Sequence, residues 1–100
     1  MQQLITKEIE GRTPRLYATD GQEDPTAFAH FFCILNHWDW WMTEYDPETR
    51  EAFGLVCGFA EEWGYFSIAE MESVNEAKGF EVIEREVPFE PKPVSECRRQ

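Results

Sequence analysis

Residues 27–45 of the chain read AFAHFFCILNHWDWWMTEY. Both halves of this stretch are rich in aromatic and other strand-favouring residues. The dipeptide Asn36-His37 separates the halves and predicts a hairpin of two antiparallel strands, 27–35 and 38–45. Alternation gives the second strand two faces, with Trp38, Trp40 and Met42 on one and Asp39, Trp41, Thr43 and Tyr45 on the other.

The residues after the hairpin predict three further strands and a helix. In 52–59, Phe53, Leu55, Cys57 and Phe59 share a face opposite Gly54 and Gly58. Residues 61–64 favour a turn that leads into a short strand at Tyr65 and Phe66, and the spacing Ser67-x-x-Glu70 is a capping box that starts a helix. An apolar stripe of Ile68, Met71 and Val74 runs along this helix, and Gly79 ends it. Residues 81–87 then alternate like a strand near a sheet edge.

Short elements are predicted at the two ends of the chain, a helix near the N-terminus and extended backbone followed by a last turn near the C-terminus. Thr6 is placed to cap a helix that runs to Arg12, with Ile9 facing inward. Near the C-terminus, three prolines enforce extended backbone before a last turn from Ser95. The order helix, hairpin, strand, strand, helix, strand predicts one α+β domain over 1–100, a small antiparallel sheet of four to five strands with short helices packed on one face.

The aromatic residues predict where the core lies. We expect Trp38, Trp40, Phe53 and Leu55 to be buried in one core against Ile68 and Met71. Trp41 lies on the opposite face beside polar neighbours, so we expect it to be exposed and to serve as an anchor in a protein interface.

The amino-acid composition limits the kinds of partner that the protein can bind and the cellular compartment that suits it. Twenty acidic and nine basic residues give a net charge of −11, and 42% of the residues are apolar, enough for a folded core. This charge opposes direct binding to nucleic acid or to an anionic membrane and favours a basic protein partner. No basic and apolar leader is apparent, the apolar runs are too short to span a membrane, and the three cysteines are odd in number. We therefore expect a protein of the bacterial cytoplasm, where thiols stay reduced.

Few residues point to catalysis. The spacing His30-x2-Cys33-x3-His37 resembles a metal site, but residues 30 and 33 of a strand face opposite sides, so we predict no metal and no cofactor. Close carboxylate pairs are expected by chance in so acidic a chain. The enzyme hypothesis that remains places Glu70, Glu72 and His30 in a cleft between sheet and helix, acting on a small substrate.

The acidic residues are concentrated in two segments. Residues 39–51 hold five acids and one base, and residues 61–76 hold five acids and no base. Such segments either keep a surface solvated or imitate a row of phosphates in a basic groove. The candidate partner-binding residues are Asp39, Trp41, Glu44, Asp46, Glu61, Glu62, Glu70, Glu72 and Glu76.

Several blocks occur in an order that carries a resemblance over nearly the whole chain. They are LITKEI (4–9), RLYATD (15–20), WDW with TE (38–40, 43–44), FGLVCG (53–58), GYFSIAEMESV (64–74) and IERE with FEP (83–86, 89–91). The chain resembles a family of small proteins of unknown function carried on plasmids, phages and integrated elements. The resemblance assigns no catalytic residue, but it implies an inhibitor of host defence, such as an anti-CRISPR or anti-restriction protein.

The hypothesis that follows is an acidic nucleic-acid mimic that occupies a basic site on a host protein or ribonucleoprotein complex. Two alternatives stay open, the small enzyme described above and an acidic partner that neutralises a co-encoded basic toxin.

Overall fold

A five-stranded antiparallel sheet forms the centre of the computed structural model, which describes residues 2–97. The strands are β1 (Thr26–Ala27), β2 (Ala29–Cys33), β3 (Asp39–Asp46), β4 (Glu51–Cys57), β5 (Glu61–Ser67), β6 (Ile83–Arg85) and β7 (Lys92–Pro93), and the helices are α1 (Lys7–Arg12), α2 (Ile68–Lys78) and α3 (Val94–Cys97). The spatial order of the main sheet is β5-β4-β3-β2-β6, and a second sheet pairs β1 with β7. The α+β class is confirmed.

The main sheet buries a core on each of its two faces. On the first face, Phe31 and Met42 pack with Ile9 of α1 and with Ile68 and Met71 of α2. Trp38, Trp40 and Phe66 are partly buried against this core. The second face has a smaller core, formed by Ala27, Trp41, Leu55, Val94 and Cys97 with Cys57 and Phe89 beside it.

The prediction of one core was therefore wrong. Leu55 pairs with Trp41 in the sheet and lies on the second face, opposite the face that carries Trp38 and Trp40. The C-terminal segment covers the second face with β7 and α3. Short helices thus lie on both faces, with α1 and α2 on the first and α3 on the second.

A β-bulge at Thr43 changes which side chains face the first core. Met42 pairs with Gly54 and Glu44 pairs with Phe53, so Thr43 is the extra residue. The bulge returns Tyr45 to the first face with Met42, whereas strict alternation predicted that Tyr45 lies with Trp41. Position 54 must be glycine, because an added Cβ would lie 1.9 Å from the carbonyl oxygen of Trp41.

The helix ends are as predicted. The Thr6 hydroxyl accepts from the Ile9 amide, and the Ser67 hydroxyl accepts from the Glu70 amide at 3.1 Å. Gly79 ends α2 with a φ of 81°, a conformation that glycine adopts without strain.

Two other local predictions were wrong. Residues 61–64 form the start of β5 and not a turn, because Trp63 pairs with Leu55 of β4. Along α2, Val74 is exposed and Asn75 is buried. The Asn75 side chain bonds to the backbone of Val82 and Ile83 and so attaches β6 to the helix. The edge position predicted for residues 81–87 is confirmed for β6.

The C-terminal turn begins at Val94, one residue before the predicted Ser95, while Arg98 and Arg99 lie outside the described residues. Within residues 2–97, no helix has the length and apolar character needed to cross a membrane. None of the three cysteines forms a disulfide among the described residues.

Candidate functional site

One transverse row of residues crosses all five strands on the second face. The register pairs Glu84 with Phe32, Phe32 with Asp39, Asp39 with Cys57, and Cys57 with Glu61. Directly opposite residues share a face, and neighbouring strands lie about 4.8 Å apart. The Cα positions of Glu84, Asp39 and Glu61 therefore recur every second strand, at intervals of about 10 Å. We call these three residues the acidic row.

His30 holds one carboxylate of the acidic row in place. Its Nε2 lies 2.7 Å from Oδ1 of Asp39, and its Nδ1 lies 2.6 Å from Oε1 of Glu86. The imidazole stacks on the Trp41 ring at 4.6 Å between centroids, with 6° between the planes. Both ring nitrogens therefore lie within hydrogen-bond distance of a carboxylate.

A cavity of about 330 Å³ opens beside His30 and Asp39. Trp41 and Phe89 give it aromatic walls, and the Lys92 ammonium lies 5.4 Å from the centre of the Phe89 ring. Its remaining lining residues are Cys57, Glu61, Glu86 and Cys97. Aromatic faces beside carboxylates are suited to cationic groups.

The side chains around the cavity are poorly arranged for catalysis. Both ring nitrogens of His30 already lie within hydrogen-bond distance of carboxylates. Neither nitrogen is therefore available to take a proton from a substrate. Burial raises the pKa of the Cys97 thiol to about 11, which keeps it protonated and weakly nucleophilic at neutral pH. Among residues 2–97, no group of three or more metal-ligating side chains is placed to hold a metal ion.

The enzyme hypothesis requires a cleft that brings Glu70, Glu72 and His30 together, and the fold does not form one. Glu70 and Glu72 belong to α2, which packs on the first face, whereas His30 lies with Trp41 on the second. The sheet separates these residues.

Trp41 is buried, whereas the polar residues beside it on the predicted strand led us to expect that it is exposed. It is 8% exposed and packs with Ala27, Leu55 and Val94. The prediction failed because the cover comes from residues about 50 positions away along the chain. As a wall of the cavity and a platform for His30, Trp41 still belongs to the candidate site.

Glu44 and Glu72 have structural partners within the chain. Glu44 is 3% exposed and accepts from the amides of Tyr17 and Thr19, both at 2.8 Å, and from the Thr19 hydroxyl. It therefore cannot belong to an exposed acidic surface. Glu72 pairs with the Arg50 guanidinium through contacts of 2.9 and 3.1 Å, and Arg50 lowers the pKa of this carboxyl.

The remaining acidic candidates lie on different surfaces. Asp46 accepts from the Glu48 amide in the turn after β3, and this bond lowers its pKa. Glu62 is exposed on the first face of β5, next to Glu61 on the second. Glu70 and Glu76 are exposed on α2. The nine predicted residues thus do not share one surface, and only Asp39 and Glu61 belong to the acidic row.

Sequence reasoning missed Glu84 and Glu86 as members of the site. The alternation Ile83-Glu84-Arg85-Glu86 places both carboxylates on the face opposite buried Ile83. That signal was present, but the position of this strand beside β2 depends on long-range pairing.

No curated protein and no solved structure matches this chain. A family match spans residues 2–97 and carries the description "Protein of unknown function (DUF2958)". It covers the whole sheet, both cores and the candidate site. The chain therefore belongs to the DUF2958 family.

Proposed function

We propose that this protein is a binding protein that inhibits a nucleic-acid-handling complex of a bacterial host, in the manner of an anti-CRISPR or anti-restriction protein. In this proposal it acts as a nucleic-acid mimic, and its carboxylates occupy the basic site of the complex. The observation that carries the proposal is the acidic row of Glu84, Asp39 and Glu61, set at regular intervals across a sheet. The resemblance to proteins of plasmids, phages and integrated elements supports host defence as the target.

The geometry of the acidic row suits electrostatic recognition. Its spacing of about 10 Å exceeds the Debye length of about 8 Å at physiological salt, so neighbouring carboxylates repel one another little and each can meet a separate cation of the partner. A net charge of −11 adds long-range attraction to a basic groove. His30 fixes Asp39 before binding, which lowers the conformational entropy lost in the complex.

Capture from cells tests the identity of the partner. The tagged protein is incubated with lysate from bacteria that carry CRISPR and restriction systems, and the captured proteins are identified by mass spectrometry. We expect a nucleic-acid-handling protein whose capture weakens with added salt and is competed by duplex DNA. Capture of a basic toxin that DNA does not compete, or capture that neither salt nor DNA changes, contradicts the proposal.

Two charge-reversal variants test the surface. Glu61→Lys with Glu84→Lys reverses both outer members of the acidic row, and we expect it to lose binding and inhibition. Glu70→Lys with Glu76→Lys makes the same charge change on α2, behind the sheet, and we expect it to retain most binding. Asp39 and Glu72 stay unchanged because His30 and Arg50 bind them. Circular dichroism checks that both variants fold. Wild-type potency in the first variant, or equal loss in both, refutes the assignment of the site.

A further inference from the structure

The outer edge of β5 has no strand beside it among residues 2–97. β5 is seven residues long and pairs only with β4. Its free edge therefore presents backbone N–H and C=O groups to solvent, a template on which another strand can pair. The sequence EEWGYFS of this strand contains no proline and no lysine, two residues that commonly block such an edge.

Exposed aromatic rings surround this edge. Trp63 is 43% exposed, Tyr65 is 50% exposed, and Phe59, just before the strand, is 98% exposed. All three border one surface cavity of about 260 Å³. Exposed Tyr17 extends the patch through an edge-on contact with Tyr65 at 6.4 Å. Exposed aromatic rings beside an open strand edge are typical of an interaction surface.

We propose that β5 pairs antiparallel with β5 of a second copy of this chain, around a two-fold axis at Gly64. The pairing joins two five-stranded sheets into one continuous sheet. It forms an isologous interface, the commonest kind in homo-oligomers. This inference does not depend on the proposed inhibitory function.

The symmetry of the strand sequence selects this occupant and this register. With Gly64 opposite Gly64, all seven residues of each β5 pair with the other copy. Trp63 then faces Tyr65 twice, and such aromatic cross-strand pairs stabilise a sheet. The carboxylates face neutral residues, with Glu62 opposite Phe66 and Glu61 opposite Ser67.

Other two-fold registers are less favourable. Directly opposite residues must share a face, so the axis falls on a residue and not between two residues. An axis at Glu62 sets that carboxylate against its own copy, and like charges that are directly opposite destabilise a sheet. An axis at Trp63 or Tyr65 shortens the pairing to five residues and leaves both Trp63–Tyr65 pairings unmade.

Salt distinguishes this self-association from capture of a basic partner. Each copy carries a net charge of −11, so the two copies repel one another at long range. Added salt screens this repulsion and should tighten the dimer, whereas it weakens binding to a basic partner.

Two glycine substitutions provide the matched test. A Cβ at Gly64 or at Gly11 meets no atom within 4 Å, and neither glycine has a positive φ. Gly64→Glu sets two carboxylates face to face at the proposed axis, while Gly11→Glu adds the same charge on α1. Sedimentation equilibrium and light scattering, from micromolar to millimolar protein, give the dissociation constant of each variant.

We expect a wild-type dimer that tightens with salt, and a dissociation constant at least about tenfold higher for Gly64→Glu than for Gly11→Glu. Trp63→Ser, which removes an exposed ring, should weaken the dimer in the same direction and serves if Gly64→Glu does not fold. A wild-type protein that stays monomeric over the whole concentration range overturns the proposal. So does a dimer that both the Gly64 and Trp63 variants leave unchanged.

Discussion

The substitution Glu44→Gln tests directly whether an acidic residue that the sequence assigned to a binding surface has a structural role instead. Sequence patterning placed it on a partner-binding surface, whereas the structure buries it against the loop that holds Tyr17 and Thr19. One carboxylate oxygen accepts from the Tyr17 amide, and the other accepts from both the amide and the hydroxyl of Thr19. The substitution Glu44→Gln keeps the size of the side chain and removes one acceptor and the charge.

The expected cost follows from these contacts. A glutamine has a single acceptor oxygen, so its NH₂ must face either the Tyr17 amide or the two donors of Thr19. At least one backbone N–H then loses its partner and meets another donor. A hydrogen bond to a charged group contributes about 1.5–3 kcal/mol, so we expect Glu44→Gln to lower the free energy of unfolding by about 2–3 kcal/mol. That is a large part of the roughly 5–15 kcal/mol available to such a domain.

The assay is urea unfolding at pH 7, followed by tryptophan fluorescence, with thermal unfolding as a second measurement. A loss of this size lowers the melting temperature by about 4–8 °C for each kcal/mol in a domain of this length. Glu62→Gln is the control, because Glu62 is an exposed strand carboxylate that undergoes the same charge change. If Glu44→Gln matches the control within about 0.5 kcal/mol, the structural role of Glu44 is refuted.

Three further substitutions test the fold. Gly54→Ala should lower the free energy of unfolding by at least about 2 kcal/mol in urea titrations, because its Cβ meets the Trp41 carbonyl, while Gly64→Ala should not. Ser67→Ala should cost about 0.5–2 kcal/mol by removing the cap of α2; an unchanged unfolding midpoint contradicts this. Glu72→Gln should lower stability at neutral pH by breaking the Arg50 pair. Because folding lowers the pKa of Glu72, this contribution is present above the ordinary value of 4.5 and is lost as pH falls below it, so wild-type and variant unfolding curves should converge in acid.

The parts of the fold that the sequence predicted well depend on local chemistry. Thr6 and Ser67 each cap a helix through an amide three residues later, and Gly79 supplies the left-handed conformation that ends α2. These interactions lie within a few residues of one another, so their signals are complete in a short window. The hairpin around Asn36-His37 was predicted for the same reason.

The bulge at Thr43 shows why the rest was not predictable. Alternation along 38–45 assigns Tyr45 to the face of Trp41, and nothing in that segment announces an extra residue. The determinant lies in the partner strand, where Gly54 leaves room for the displaced carbonyl of Trp41. The same insertion directs Glu44 away from the first core and toward the loop that it binds. The one extra residue thus places Tyr45 in the first core and directs Glu44 to the loop amides that it binds.

The position of the acidic row follows from how the second face is covered. Trp41 and Leu55 pair with each other and are buried by β1 and α3. Asp39 and Cys57 form the pair two residues farther along, about 6.7 Å toward the end of the strands. There the side chain of Asp39 is 33% exposed, and the neighbouring Glu61 is exposed as well. In the proposed complex the basic partner therefore meets Asp39 and Glu61 at this end of the sheet, while Trp41, buried beneath His30, supports the imidazole that binds Asp39.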